Sequence, residues 1–210
     1  MPHSPYILEC CRGVKPSGCA RAVALPGDFA AGLAALLAQT PPPGAYAALG
    51  REPRHHERFR ISLCACPNGC ARPHVADLGL VAAVGVRIDA AACTGCGACL
   101  TTCPDGAISV EDDVAAIDAA RCLGCGHCLA ACPADAMAAG PPRIRALLGG
   151  RLGRRPRLGV ELRERLAPPS ALGLAERCLR ACVDGLRPGL RFGDIVFPAG
   201  RPGLPAWVWP

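Results

Sequence analysis

Sixteen cysteines in a chain of 210 residues dominate the chemistry that this sequence could perform. Eight of them form two runs with one internal spacing: three cysteines separated by two residues each, then a fourth after three residues, directly before a proline. A cubane iron–sulfur cluster needs four converging thiolates, and two-residue gaps let three cysteines wrap one cluster on a tight loop. The runs are Cys93-x2-Cys96-x2-Cys99-x3-Cys103-Pro104 and Cys122-x2-Cys125-x2-Cys128-x3-Cys132-Pro133.

The duplicated runs have the spacing of the bacterial two-cluster ferredoxin, in which the cysteine before the proline binds the other cluster. The interposed glycines let backbone N–H groups approach the sulfurs; they are Gly95, Gly97, Gly124 and Gly126. The pattern therefore predicts two [4Fe–4S] clusters. Their ligands are Cys93, Cys96, Cys99 and Cys132 for the first cluster, and Cys122, Cys125, Cys128 and Cys103 for the second.

Zinc and disulfides are the competing explanations for so many cysteines. Paired C-x2-C groups also bind zinc, but eight cysteines in a duplicated triple-plus-one pattern favour iron–sulfur clusters. The first ten residues lack the charged start and long apolar stretch of a signal peptide, which disfavours the disulfides of a secreted protein. The chain has no run of about 18 apolar residues, so we expect no membrane span. We therefore expect reduced thiols in a cytoplasmic protein.

The formal charge is +6, and Lys15 is the only lysine among the 23 basic residues. Arginine binds carboxylates and phosphates through a two-pronged fork, so this charge suits a polyanionic cofactor or an acidic redox partner. A coding bias toward arginine and alanine explains it equally well. Nucleic acid is not an expected partner, because the chain has neither a block of five basic residues nor an aromatic platform for bases.

Three further motifs lie outside the duplicated runs. They are Cys11 with Cys19, then Cys66-Pro67-Asn68-Gly69-Cys70 leading into Asp77-x-Gly79, and later Gly149-Gly150-Arg151-x-Gly153-Arg154. Together they resemble the nitrite/sulfite reductase (sirohaem/4Fe–4S) family, and in particular the anaerobic sulfite reductase C-subunit type. That type carries a ferredoxin insert at the same place, and the resemblance covers about residues 7–197.

The resemblance implies a third cluster and a haem. In the family, the two outer cysteine groups hold a further [4Fe–4S] cluster, and the last cysteine joins it to the iron of a sirohaem. Here those ligands would be Cys11, Cys19, Cys66 and Cys70, with Cys70 as the bridging residue. A relic that packs the same cysteines as small apolar residues is the alternative.

Sirohaem carries many carboxylates, which suits an arginine-rich chain. Arg72, Arg151 and Arg154 are the candidate contacts for those carboxylates, and solvated or backbone-capping arginines are the alternative. The resemblance also implies that the substrate is a small anion, sulfite or nitrite, and that electrons enter through the ferredoxin clusters.

Two departures from the family pattern bear on the third cluster. The family has C-x5-C in the first cysteine group, whereas seven residues separate Cys11 from Cys19, and Cys10 is an alternative first ligand. The family fold also has two similar halves, and the half that precedes the first cysteine group is absent before Cys11. A partner could supply that half, the function could be lost, or the gene start could be misplaced.

Several elements must position these motifs. Short strands are expected at 7–9 and 58–63, each running into a cysteine group, and a buried strand at 78–88. Asp28 is expected to cap a helix that carries Leu33, Leu36 and Leu37 and ends at the prolines that follow Thr40. After the two prolines 141 and 142, we expect a strand at 143–148, helices near 159–166 and 170–186, the second capped by Ser170, and a short strand at 191–197.

These elements predict an α+β fold, in which a sirohaem-reductase-type half-domain holds an inserted 2×[4Fe–4S] ferredoxin-like module. The half-domain is expected to comprise residues 1–88 and 141–197. The module is expected at residues 89–140, and an irregular tail is expected at residues 198–210. The short inter-cysteine segments of the module are poor in apolar bulk, so its clusters should stabilise it more than a core does.

We expect an oxidoreductase subunit that works with a redox partner protein or with other reductase subunits. The alternative is a non-catalytic, ferredoxin-like electron-transfer protein. Catalytic residues stay unassigned, because no Ser/His/Asp triad or phosphate loop is evident. Cys178 and Cys182, four residues apart on a predicted helix, are expected in helix packing, and Cys10 and Cys64 have no assigned role. His127 lies inside a cluster loop and could tune a reduction potential.

Overall fold

Seven strands form two sheets in the computed structural model, which describes residues 4–198 and 203–209. Five strands make the central sheet and two make a small hairpin. The strands are β1 (Tyr6–Cys10), β2 (Phe59–Cys64), β3 (Leu78–Ile88), β4 (Ile108–Glu111), β5 (Val114–Ile117), β6 (Met137–Leu148) and β7 (Val160–Glu161). The central sheet has the order β1-β2-β3-β6-β7, with β1, β2 and β3 parallel and with β6 antiparallel to both β3 and β7.

Six helices accompany the sheets, and three of them cover one face of the central sheet. They are α1 (Phe29–Gln39), α2 (Gly44–Ala47), α3 (Ala98–Thr102), α4 (His127–Ala131), α5 (Pro168–Gly185) and α6 (Phe192–Val196). The main core lies between the sheet and α1, α5 and α6, where Leu33, Leu174 and Phe192 pack on Ile61 and Leu80. The mixture of strands and helices confirms the predicted α+β class.

The two faces of the central sheet have different roles. Because successive side chains of a strand point to opposite faces, Leu63 and Leu80 enter the main core while Cys64 and Val81 point the other way. Cys64, Val81 and Leu147 form a small buried cluster against which Cys11 packs. The outer cysteine groups therefore lie on the face that the helices leave open.

Strands β3 and β6 extend past the main core to the cysteine-rich module. A break in register lies between Val84 and Val86, after which Val86 pairs with Ala139 and Ile88 pairs with Met137. Beyond this bulge the two strands leave the main core, and Val86, Ile88 and Met137 pack with the module's own apolar side chains.

Much of the predicted secondary structure is confirmed. The strands predicted at 7–9, 58–63 and 78–88 are present, and none of their ends differs from the prediction by more than one residue. The strand predicted at 143–148 is the second half of the longer β6. The helix that carries Leu33 is confirmed, and it ends at Gln39, before the prolines. Asp28 is its N-cap residue but makes no side-chain capping bond, so the expected cap is wrong in that detail.

Two predicted elements are wrong. The helix near 159–166 is replaced by β7 and a bridge, because this segment pairs with β6: the Leu166 N–H donates to the Ile144 carbonyl at 2.8 Å. The segment 191–197, predicted as a strand, forms helix α6. The Asp194 carboxylate caps the start of this helix, because it accepts a hydrogen bond from the Arg191 N–H at 3.0 Å.

Helix α5 begins at Pro168 and not at Ser170, because prolines are accepted in a first turn that needs no N–H donors. In the tail, Ala206–Val208 form a 3-10 turn, and residues 199–202 and 210 lie outside the described part of the chain. No helix within 4–198 and 203–209 combines the length and the apolar character that crossing a membrane requires.

Candidate iron–sulfur centres

The first predicted ligand set lines one cavity. Cys93, Cys96, Cys99 and Cys132 surround a space of about 340 Å³, part of it open to solvent, together with Val110, Ala115 and Met137. Three of the cysteines come from the first run and the fourth comes from the second run. We call this cavity the first centre.

The second predicted ligand set lines a matching cavity of about 360 Å³, which we call the second centre. Its cysteines are Cys122, Cys125 and Cys128 of the second run and Cys103 of the first. In each cavity, the fourth cysteine thus comes from the other run, as the spacing predicts. The residue assignment itself stays a prediction, and this geometry supports it.

Glycines shape the loops around both centres. Helices α3 and α4 each begin after a glycine with left-handed backbone, Gly97 at φ 73° and Gly126 at φ 76°, a region that is costly for other residues. A Cβ on Gly95 would lie 2.9 Å from the carbonyl oxygen of Asp113, and one on Gly124 would lie 2.9 Å from the Cβ of Ala83. Gly95 and Gly124 therefore let the two cysteine loops lie close to the neighbouring residues Asp113 and Ala83.

Backbone donors face the sulfurs, as a thiolate ligand requires. The N–H groups of Gly95 and Ala115 lower the pKa of the Cys93 thiol, and the Ala107 N–H donates to Cys103 Sγ at 3.3 Å. Burial acts in the opposite direction on Cys128 and raises its pKa to about 11. Binding of the sulfur to a Lewis acid lowers the pKa of such a thiol, and the iron ions of a cluster would act in this way.

The outer cysteine groups also meet, and we call their meeting point the third centre. Cys11 follows β1 and Cys66 follows β2, and these neighbouring parallel strands end at the same edge of the sheet. The Ala65 N–H donates to Cys11 Sγ at 3.2 Å, and the Val23 N–H donates to the Ala65 carbonyl at 2.7 Å. These bonds hold the loop that carries Cys19 beside β2.

Electrostatics around Cys66 report the same convergence. Burial raises the pKa of the Cys66 thiol, and the nearby charges of Cys11, Cys70 and Cys19 raise it further. Cys70 is exposed, whereas Cys66 is partly buried. Cys11, Cys19 and Cys70 thus all lie close enough to Cys66 to influence its ionisation.

Cys10 is poorly placed as an alternative ligand. It packs against the main core on the helix-covered face, while the next residue, Cys11, packs on the opposite face beside Cys64. Burial raises the pKa of the Cys64 thiol to about 12, so this thiol is neutral. Cys178 and Cys182 are buried in the main core, where α5 packs.

The thiols are spread too widely for a single ion. Among the described residues, no three Cys, His, Asp or Glu side chains come close enough to share one metal ion. A tetrahedral zinc site draws four ligands to about 2.3 Å from one atom. The cysteines of the first and second centres each line one common space, where a cluster held by four thiolates would lie.

The second centre and the third centre share a boundary. Cys125 and Cys66 both line one cavity of about 540 Å³, part of it open to solvent, together with Pro67, Arg21 and His127. Arg21 Nη1 lies 3.1 Å from His127 Nε2. Sequence reasoning singled out His127 but not Arg21, since 106 residues separate the two and no motif links them.

The predicted arginines are only partly brought together. Arg151 and Arg154 line an open cavity of about 1020 Å³ with His56, Arg155 and Arg191, of which only Arg191 lies outside the residues that the sequence singled out. We call it the arginine cavity. Its Arg151 is also paired with Asp194, with 3.1 Å between Nη1 and Oδ1.

Arg72 is absent from the residues that line the arginine cavity. It lies exposed in the turn after Cys70, with left-handed backbone at φ 56°. It is therefore near the third centre and not part of the cationic cavity.

Comparison with known proteins supports both the module and the surrounding fold. The 4Fe–4S dicluster domain family matches residues 92–136. The coenzyme F420-dependent sulfite reductase of Methanocaldococcus jannaschii is 34% identical over 58 residues, which are 28% of this chain and 9% of that protein. The C-subunit of the anaerobic sulfite reductase of Salmonella typhimurium is 38% identical over 50 residues, which are 24% of this chain and 15% of that protein.

The fold has a solved counterpart. The crystal structure of dissimilatory sulfite reductase I matches 92% of this chain and 49% of its own chain, with a TM-score of 0.56 and 19% identity. The chain thus aligns with small parts of the two sequence relatives and with about half of the solved structure. These similarities confirm the family resemblance and establish iron–sulfur electron transfer as the chemistry of the module. The chain contains a 4Fe–4S dicluster domain at residues 92–136, and parts of its sequence and its fold are similar to those of sulfite reductases.

Proposed function

We propose that this chain is the iron–sulfur subunit of a sulfite or nitrite reductase, in which the dicluster module serves a third [4Fe–4S] centre coupled to sirohaem. One observation carries the proposal: the third centre adjoins the second centre across a shared cavity lined by Cys66 and Cys125. A ferredoxin module that only exchanged electrons with other proteins would need no cysteine group at that boundary.

The residues fit the groups that the proposal requires. The third centre offers four cysteines on loops at one sheet edge; they are Cys11, Cys19, Cys66 and Cys70. Bound there, a cluster would supply one-electron transfer, and a sirohaem beside it would supply a place where sulfite or nitrite is reduced. Cys70 would be the bridging ligand, because it is the exposed member of the set.

The arginine cavity fits an anionic ligand. Four guanidinium groups line it, and one carboxylate, that of Asp194, compensates Arg151. Carboxylates of a tetrapyrrole are the ligand that we propose for Arg151 and Arg154, with Arg72 as a further contact near Cys70. These side chains would bind and orient the anion and would not take part in proton transfer, since guanidinium groups stay protonated.

Partner subunits and a redox partner protein are part of the proposal. The chain aligns with 49% of the dissimilatory sulfite reductase chain, and one of its relatives is named as the C-subunit of an anaerobic sulfite reductase. We propose that another polypeptide completes the substrate pocket, that the substrate is sulfite or nitrite, and that the protein works in the cytoplasm.

Iron analysis of the anaerobically purified and reconstituted full chain tests the third centre. Three [4Fe–4S] clusters hold about twelve irons and two hold about eight. We expect Cys66→Ser to lower the count by about four irons and to abolish any haem absorption. Cys178→Ala is the matched control, since Cys178 is buried in the main core, and it should leave the iron count unchanged. An unchanged count in Cys66→Ser would refute the third centre.

A second candidate is a ferredoxin-like electron carrier with no catalysis of its own. It is favoured by the extent of the family match, which covers residues 92–136 and none of the outer cysteines. Turnover of sulfite or nitrite with a chemical electron donor separates the candidates. Activity of this chain, alone or with its co-purifying subunits, supports the reductase, and its absence from haem-loaded preparations supports the carrier.

A further inference from the structure

The loop of the second centre, residues 122–128, is fastened to the main fold from the side of the central sheet. The Val84 N–H of β3 donates to the Gly124 carbonyl at 2.9 Å, and Arg165 Nη2 donates to the Cys122 carbonyl. Gly124 has no space for a side chain, because Ala83, Val84 and Arg165 surround it. This loop therefore lies directly on β3.

Arg21 fastens the same loop from the side of the third centre. Its Nη1 lies 3.1 Å from His127 Nε2, and because a guanidinium can only donate, Nε2 of His127 is the acceptor. The backbone N–H of Arg21 faces the sulfur of Cys19. One residue thus contacts a ligand of the third centre through its backbone and the loop of the second centre through its side chain.

The first centre has no comparable attachment. Among the described residues, no hydrogen bond joins its loop, residues 93–99, to residues 4–84; the Cys93 N–H donates instead to the Asp89 carbonyl at 3.0 Å. Cys96 of this centre is exposed. The two dicluster centres, which look equivalent in sequence, are therefore placed differently with respect to the main fold.

We propose that Arg21 is a positioning residue that couples the second centre to the third, so that the second centre is the one through which the module communicates with the main fold. The existence of the third centre rests on the proposed function. The coupling has two physical parts: the hydrogen bond keeps the Cys125 loop against the Cys66 loop, and a cation at the boundary favours the reduced state of both centres.

Redox titration of the full, reconstituted chain followed by electron paramagnetic resonance tests this. Arg21→Ala should lower the reduction potentials of the second and third centres, leave that of the first unchanged, and weaken the magnetic interaction between the second and third. Arg21→Lys, which keeps the charge, should restore most of the potential shift. Iron content equal to that of the wild type shows that the variants are folded.

Arg12→Ala is the matched control. Arg12 also lies beside Cys19 and lowers its pKa, but its side chain donates to the Gly18 carbonyl and does not reach His127. This variant should shift the third centre alone. If Arg21→Ala also shifts only the third centre, or shifts the first centre as much as the second, the proposal is wrong.

A second background separates this inference from the proposed function. In Cys66→Ser the third centre is removed, and a further Arg21→Ala change should still lower the potential of the second centre. If Cys66→Ser leaves all irons in place, the proposed function fails, while the effect of Arg21 on the second centre can still be read. If the third centre exists and Arg21→Ala leaves the second unchanged, only the positioning role fails.

Discussion

Arg145 of β6 and Glu161 of β7 form a two-pronged ion pair, with 2.6 Å between Nε and Oε1 and 2.7 Å between Nη2 and Oε2. The Arg145 side chain is 8% exposed and that of Glu161 is 37% exposed. The pair attaches the two-residue edge strand to the sheet and compensates a buried charge on the face that carries the cysteines.

Glu161→Gln should therefore destabilise the fold. Arg145 would keep one hydrogen bond but lose its counter-charge in a buried position, which we expect to lower the free energy of unfolding by about 1–3 kcal/mol. Chemical denaturation followed by circular dichroism measures this. Glu176→Gln breaks the exposed pair with Arg180 and serves as the control, with an expected loss below about 0.5 kcal/mol. Equal losses in the two variants would contradict the argument.

Gly79 of β3 permits the turn that follows the third centre to lie on the sheet. A Cβ at this position would overlap the carbonyl group of Pro73, whereas Gly85 of the same strand has nothing within 4 Å of its Cβ position. We expect Gly79→Ala to lower the free energy of unfolding by about 1–3 kcal/mol and to reduce iron at the third centre. Gly85→Ala should change neither, and an identical response in both variants would show that the contact with Pro73 does not matter.

Substitutions at Gly124 and Gly97 allow the cost of backbone strain to be measured separately from the cost of steric overlap. Both have φ 73°, but Gly97 is open while Gly124 is enclosed by Ala83, Val84 and Arg165. Gly97→Ala should cost about 1 kcal/mol and retain both dicluster centres. Gly124→Ala should displace the second loop and cause selective loss of the second centre's irons, measured by iron content and paramagnetic resonance after reduction. Retention of those irons would argue against close packing as the reason for glycine.

Asp77 should make stability depend on pH. Burial raises the pKa of this carboxyl from 3.8 to about 6, and the charge of Asp194 adds to the rise. A hydrogen bond from the Arg60 N–H and the charges of Arg191 and Arg60 lower the pKa, but burial outweighs them. The folded state holds the proton more tightly than the unfolded chain. The stabilisation is thus complete below about pH 4 and is lost as the pH rises through about 6.

Asp77→Asn removes the titration and keeps an oxygen that can accept from the Arg60 N–H. Between about pH 5 and about pH 8, the wild type should lose about 1 kcal/mol of stability relative to this variant. Denaturant titrations of both proteins at each pH measure the difference. A constant difference across this range would show that Asp77 is already ionised in the folded state.

Local signals predicted some features well. The strand at 78–88 was predicted to the residue, because an uninterrupted apolar run is typical of a strand buried on both faces. The assignment of the cysteines to two clusters rests on the two-cluster ferredoxin pattern; it stays a prediction, which the two cavities support.

Long-range partners decided the features that sequence reasoning missed. Residues 191–197 contain Phe192, Ile195 and Val196 and resemble a strand, but the Asp194 cap makes them a helix. Leu162 and Leu166 have helical spacing, yet their backbones pair with Ala146 and Ile144 of β6. The contact of Arg21 with His127 could not be foreseen, because neither residue carries information about the other.

The chain leaves the central sheet at Ile88 and returns at Met137, and these two residues are register partners on adjacent strands. The module therefore begins and ends at one place. Strands β3 and β6 form an antiparallel pair like a hairpin, and the dicluster module lies where the turn of that hairpin would be. Because both ends of the module meet at one pair of adjacent residues, a change in its length leaves the order of the strands unaltered. The same geometry would let an engineer graft a different electron carrier onto this scaffold at a single junction.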